Sequence, residues 1–353
     1  MKSSALRLTG ALILAGLARS AGAGDLNPLP GPIGPTMKAL SAVEPRTPVD
    51  TLPGDADALH VISQPGSYYL TSELIGQAGK NGIKITANVL NATIDLNGFA
   101  VTGVPGSLHG IVGEFTAPVP EYHLIEIRNG TVHLWGGDGL NLAAKNASLL
   151  RCTLEGNGGN GATLGLDAIL RACIARSNSG KGIVVGANSM VIDCLVARNT
   201  GRGIEAGDCT TIRGCRVFAA GSEAIVLSNN SVLDVTEYDH HPHPLPAPAV
   251  RVTGIGNRIT RNHGRLNVAG GVGLRVEAAG NHIADNTIGG TGSVNITGLQ
   301  VTAAGNLIIR NSVSGVGTAG TGYDIITPGN TVGPIVNSGN IATNSNPHAN
   351  YAF

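Results

Sequence analysis

Charge and aromatic side chains are both scarce in this chain. Of its 353 residues 13 % are charged and 3 % aromatic, and the formal net charge is zero. A neutral chain lacks the basic surface that phosphates require, which excludes a nucleic-acid partner and gives no hold on an anionic membrane. Few aromatics leave few platforms for stacking a sugar ring. Long apolar runs are missing as well: past the N-terminal stretch no segment is long enough to span a bilayer. The five cysteines and single tryptophan are few enough for each to be weighed by position.

What the chain has in abundance is glycine, 52 residues of it, and a repeat. Cys152, Cys173, Cys194 and Cys215 recur at equal intervals, and Asn157, Asn178 and Asn199 recur at the same interval. Gly139, Gly161, Gly182 and Gly203 keep that beat to within a single position. A fixed period of this size marks a solenoid or a propeller. The repeats contain runs such as Gly182-Ile183-Val184-Val185 and Met190-Val191-Ile192, bounded by Gly, Asn and Ser, which read as short strands between tight turns. Three strands and three turns fill one such repeat. The expected fold is therefore all-β, a right-handed single-stranded parallel β-helix of about a dozen coils of 21–25 residues, with very few helices. Ile, Val, Leu and Cys alternate inward, Gly and Asn take the corners where left-handed backbone is needed, and the Asn157 column stacks as an amide ladder.

The N-terminus reads as a signal peptide over 1–23. Lys2 and Arg7 precede an apolar run at 8–18, and Ala21-Gly22-Ala23 supplies the cleavage site; a retained anchor would need about 20 apolar residues. The expected address is secreted, periplasmic or cell-surface, with no membrane span after cleavage. Export would put the cysteines in an oxidising compartment. In-register side chains on parallel strands point the same way, however, which favours a column of buried free thiols over disulfides. Cys209 lies off the column, in the turn Gly207-Asp208-Cys209, and is the candidate reactive thiol, with nothing beside it that suggests a nucleophile site.

Organisation follows the repeat. Residues 24–60 are a Pro-rich leader; 61–343 form the β-helix with its N-terminal cap; 344–353 form a C-terminal cap strip. The period is regular over 139–223. It resumes, with a few turn residues added to each coil, in Asn257-Arg258-Ile259-Thr260-Arg261-Asn262, Asn281 to Asn286 and Asn306 to Asn311. Insertions interrupt it at 113–122 and 233–249.

Pro65-Gly66-Ser67-Tyr68-Tyr69-Leu70, then Gly82-Ile83-Lys84-Ile85, then Thr93-Ile94-Asp95-Leu96-Asn97-Gly98 resemble the opening of bacterial right-handed β-helix proteins of the pectin-lyase-like superfamily. With Met37-Lys38-Ala39-Leu40 and Gly136-Gly137-Asp138-Gly139, the chain resembles uncharacterised exported β-helix proteins of planctomycete-type bacteria over about residues 36–353. The resemblance implies a fold held in common by lyases, hydrolases, epimerases, adhesins and tailspikes, so it leaves activity open. Calcium is the cofactor that resemblance to the lyases would bring. Asp95, Glu126, Asp138, Glu155, Asp167 and Asp193, the carboxylates available to hold it, are scattered over different coils.

The densest local chemistry is Glu237-Tyr238-Asp239-His240-His241-Pro242-His243. Imidazoles and carboxylates in one stretch suit acid–base work near neutral pH or a transition metal, against the plain alternative of a solvated loop stiffened by prolines. Candidate catalytic residues are Glu237, Asp239, His241 and Tyr122; candidate metal ligands are His240 and His243; candidate sugar platforms are Trp135 and Tyr238, with burial of Trp135 against a turn as the alternative. The column Lys181, Arg202, Glu223 and the pair Glu155, Arg176 are surface charge or a site for an acidic glycan. The reading reached is an exported β-helix interacting with extracellular or cell-surface carbohydrate, whose enzymatic form would be a polysaccharide lyase or hydrolase. The alternatives are a non-catalytic adhesion or structural protein and a periplasmic metal-handling protein.

Overall fold

The computed structural model describes residues 45–114, 123–240 and 247–353, and 46–353 form one compact unit. Each repeat lays down three short strands that pair in parallel with their equivalents one coil on. Ala162 pairs with Ile183, Ile183 with Ile204 and Ile204 with Ile225, so the repeat of the sequence is the register itself. A first face holds 12 strands, from Ala58–Ile62 to Thr321–Ile325, which makes about eleven turns. A second face runs from Thr47–Pro48 to Thr331–Val332 and a third from Leu74–Ile75 to Asn350–Ala352 and, beyond it, Ile335–Asn337. The second and third faces join where Leu124–His133 and Ser148–Glu155 run through the corner unbroken. Among the described residues the only helices are two short 3-10 turns, Val49–Thr51 and Ser338–Thr343.

Strand alternation fills the core: Ile183 and Val185 are buried and Val184 is half-exposed. The corners work differently. A residue in the left-handed region is followed by one whose side chain turns inward, as in Ala172–Cys173, Ser177–Asn178 and Arg198–Asn199. Left-handed backbone at non-glycine residues costs energy, and stacking of the next residue's side chain along the axis offsets it. The cysteine corner continues past Cys215 as Thr236, Asn262, Asn286, Asn311 and Asn350. Here each amide bonds the next, with Asn262 Nδ2 donating to Asn286 Oδ1 and Asn286 Nδ2 to Asn311 Oδ1, both at 2.9 Å. Asn257, Asn281 and Asn306 form a second ladder one corner earlier. The paired asparagines of the later repeats thus bracket one second-face strand.

One boundary differs from the compositional expectation. Residues 45–60, grouped with the Pro-rich leader, are built into the stack. Thr47–Pro48 pairs with Tyr68 and Tyr69, Val49 is fully buried, and Val61 N–H donates to Pro53 O at 2.9 Å. Proline at 48 and 53 suits an edge, where a missing N–H costs no ladder bond. At the other end, Asn350–Ala352 adds a strand to the third face beside Ser312–Ser314.

Cys152, Cys173, Cys194 and Cys215 are buried and free, and Cys209 is exposed. Burial pushes the Cys152 thiol well above its ordinary value, and the Cys173 thiol donates to Leu149 O at 3.3 Å. In the folded protein a thiol reagent such as DTNB should therefore label Cys209 alone, with four further thiols appearing on denaturation. Fast labelling of two or more native thiols would contradict the buried column.

Candidate functional site

On the third face, Val217, Tyr238 and Gly264 point inward. Their strand neighbours must therefore point out: Arg216 and Phe218, Glu237 and Asp239, His263 and Arg265. Register stacks these into two columns, with Arg216 beside Glu237 and Glu237 beside His263, and Asp239 beside Arg265. Arg216 Nε lies 3.1 Å from Glu237 Oε2, and its guanidinium sits over the Phe218 ring, 5.1 Å from the centroid. Asp239 Oδ1 accepts the Ala219 N–H at 2.7 Å. The glutamate and aspartate, two residues apart on one strand, are separated along it by about 7 Å.

Small residues in the same column make hollows on either side of this array. Ala197 precedes Phe218 and Gly289 follows Arg265. One hollow, about 450 Å³, is lined by Asp239, His263, Arg265, Asn267 and Thr291. The other, about 470 Å³, is lined by Arg198, Arg216, Phe218 and again Asp239. Asp239 is thus the ridge between two parts of one groove that runs across the rungs. Arg198 and Arg265 are exposed and, among the described residues, have no carboxylate partner. Elsewhere several charge columns are paired within themselves. Lys181 pairs with Glu205 at 2.7 Å, Arg202 with Glu223 at 3.1 Å, Arg251 with Glu277 at 3.0 Å, and Arg176 with Glu155 at 2.8 Å. The Lys181 column is therefore a closed ion-pair network.

Two expected sugar platforms are corrected. Trp135 is 1 % exposed; its Nε1–H donates to Val101 O at 2.9 Å, and its ring lies so close to Gly82 that a Cβ there would come within 2.9 Å. Tyr238 is equally buried, with Gly264 against its ring and its phenol pushed up by that burial. Neither ring can reach a ligand. The stretch read as a loop is the strand Glu237–His240, and alternation turns Tyr238 inward because Glu237 and Asp239 face out. Tyr122, His241 and His243 lie outside the described residues, as does the side chain of His240. Among the described residues no three His, Cys, Asp or Glu side chains form a metal-holding group. The structure brings together Glu237 and Asp239, and adds Phe218, Arg216, His263 and Arg265. Phe218 was within reach of the sequence: it follows Cys215 by three positions, as Arg176 follows Cys173.

A three-faced parallel stack is the frame; the chain is a right-handed parallel β-helix protein. The family model described as a right handed beta helix region matches residues 120–240. Among solved structures, the A-module of the mannuronan C-5 epimerase AlgE4 of Azotobacter vinelandii is similar at 15 % identity and TM-score 0.53, covering 81 % of this chain and 88 % of that one. The Dettilon tailspike protein gp208 is similar at 14 % identity and TM-score 0.57, covering 84 % of this chain and 60 % of the tailspike. At these identities the likeness is one of fold. No curated protein matches the sequence.

Proposed function

We propose that the third-face groove binds an extended carbohydrate chain, and that the protein does so outside the cytoplasm, following the signal sequence at 1–23. The carrying observation is the outward array Arg216/Phe218, Glu237/Asp239, His263/Arg265, with a hollow on each side and Asp239 lining both. Rungs about 4.8 Å apart present a repeated lattice, which suits a repeating ligand. Phe218 supplies an apolar ring face and the carboxylates accept hydroxyl protons. Arg198 and Arg265, uncompensated, favour acidic sugars. The epimerase module of the same fold, a mannuronan enzyme by its name, is consistent with a polysaccharide ligand on such a scaffold.

A second, catalytic reading rests on one specific feature. Glu237 and Asp239 present two carboxylates to one open face, the residue pair that glycoside hydrolysis uses as acid and base. Retention of the purified chain on a panel of acidic and neutral polysaccharides tests the first reading. Phe218→Ala and Arg265→Ala should each weaken the retained interaction about tenfold, the loss of one well-buried contact. Wild type that is retained by none of the polymers would refute it. Reducing-end and ultraviolet assays on the same panel separate the two readings. Turnover that Glu237→Gln and Asp239→Asn abolish while retention persists defines an enzyme; retention without turnover defines a binding protein.

A further inference from the structure

The second face carries a hollow of its own, about 220 Å³, lined by Asn91, Thr93, Leu124, Glu126, Asn146 and Ser148. Register explains why these six meet. Thr93 pairs with Glu126 and Glu126 with Ser148, so the three stack outward in one column. Two positions earlier on the same coils, Asn91 pairs with Leu124. Asn146 holds the equivalent place before Ser148, with left-handed backbone at φ 63°. A parallel column therefore runs amide, isobutyl group, amide, with Leu124 exposed between the two asparagines. Two rung steps make the patch about 10 Å long. It ends sharply, because the Ser148 column continues as Ile169 and Met190.

The lining suits a ligand without charge. Glu126 is its one ionisable side chain, and Glu126 Oε1 accepts from Arg128 Nη1 at 2.9 Å. Arg128 Nε donates to Asp95 Oδ2 at 3.1 Å, and Arg46 lies 3.8 Å from the same oxygen. These charges are spent on one another, which leaves the hollow no free guanidinium for an anion and no unpaired carboxylate for a cation. The neutral groups are unspent. Among the described residues the side chains of Asn91, Thr93, Asn146 and Ser148 make no hydrogen bond. The ladder asparagines differ, as Asn178 is bonded to Asn157 on one side and Asn199 on the other. Each free amide offers donors and an acceptor, and each hydroxyl offers both. Neighbouring hydroxyls on a sugar ring, every one a donor and an acceptor, are the matching partner, and the C–H face of such a ring is apolar enough to rest on Leu124.

We propose that this hollow binds one neutral sugar unit, a pyranose whose hydroxyls meet Asn91, Thr93, Asn146 and Ser148 and whose C–H face lies on Leu124. The volume is below the roughly 300–1,000 Å³ of pockets for larger ligands, which fits one ring rather than a chain. The groove lies on another face, so the proposal does not depend on what the groove binds. An open site for one ring is weak, with a dissociation constant on the order of 1 mM.

Saturation-transfer NMR on the purified chain tests it, with the methyl pyranosides of glucose, galactose and mannose as probes and methyl glucuronoside as the charged counterpart. At least one neutral glycoside should show saturable transfer, and the glucuronoside should not displace it. Asn91→Ala and Asn146→Gly should each weaken it about tenfold, the loss of one bonded amide. Glycine is chosen at 146 because the backbone there is left-handed. The groove variant Phe218→Ala should bind the glycoside as wild type does. Where circular dichroism shows that an asparagine variant has not folded, Thr93→Val, which removes only a hydroxyl, supplies the same reading. Lack of saturable transfer from every neutral glycoside overturns the site. So does a signal that Phe218→Ala abolishes, or one that the folded variants of Asn91, Thr93 and Asn146 all keep at wild-type strength.

Discussion

Trp135→Ala is expected to lower the unfolding free energy by about 4 kcal/mol and to leave polysaccharide retention unchanged. The indole fills the interior beside Gly76, Gly82 and Gly110; a Cβ at either of the first two would clash with it. Neighbours held by backbone pairing cannot collapse into the space, so most of the cavity would persist. The Val101 carbonyl would also lose its indole donor. Phe218→Ala should show the reverse pattern. Half-exposed beneath the Arg216 guanidinium, that ring should cost under about 1 kcal/mol of stability while retention weakens. Urea unfolding beside a retention assay reads both. A Trp135→Ala protein of normal stability that has lost its ligand would return Trp135 to the binding surface and remove Phe218 from it.

This reversal shows where the sequence was legible. The period carried the register directly, because a strict repeat with cysteine and asparagine columns permits only in-register stacking. Trp135 was placeable by the same rule. Leu134 before it has left-handed backbone, and the Trp135 N–H donates to Asn157 Oδ1 at 3.2 Å, as Asn157 N–H donates to Asn178 Oδ1 at 3.0 Å. It therefore occupies the inward corner of the Asn157 column, one coil earlier. Residues 237–240 were harder to place. Histidines and prolines at 240–248 mask a strand whose own alternation, with Tyr238 between two acids, says which side is which. The groove was not legible at all. Its depth comes from Ala197 and Gly289 standing beside Phe218 and Arg265 in a column. Such neighbours appear only when coils of unequal length are laid in register: Leu195 on Arg216, Thr236 on Asn262, His263 on Thr287.

Asn178→Ala should cost about 4 kcal/mol, as much as the tryptophan, although it removes far less volume. Asn178 is fully buried. Its Oδ1 accepts from both the backbone N–H and the Nδ2 of Asn157, at 3.0 and 2.9 Å. Its Nδ2 donates to Leu154 O at 3.2 Å and to Asn199 Oδ1 at 2.9 Å. Alanine fits the corner, since Ala220 takes that place one coil beyond Asn199. The loss is therefore one of hydrogen bonds. Two donors of Asn157 and the Leu154 carbonyl would be left buried without partners, each at about 1–3 kcal/mol, and the closed corner admits no water to replace them. Asn178→Asp distinguishes this account from simple packing. The new carboxyl keeps the acceptor but faces two oxygens, Leu154 O and Asn199 Oδ1, so burial and repulsion would hold its folded pKa above the roughly 3.9 of an unfolded Asp. Protonated, it donates as the amide did. Its stabilising contribution is thus present below the unfolded pKa and lost as pH rises through the folded one. The measurement is the urea midpoint of the wild type, Asn178→Ala and Asn178→Asp across the acid range. The aspartate variant should approach wild type at the acid end and fall to the alanine variant or below it at neutral pH. Equal losses for both variants at every pH would mean that the amide ladder carries shape alone.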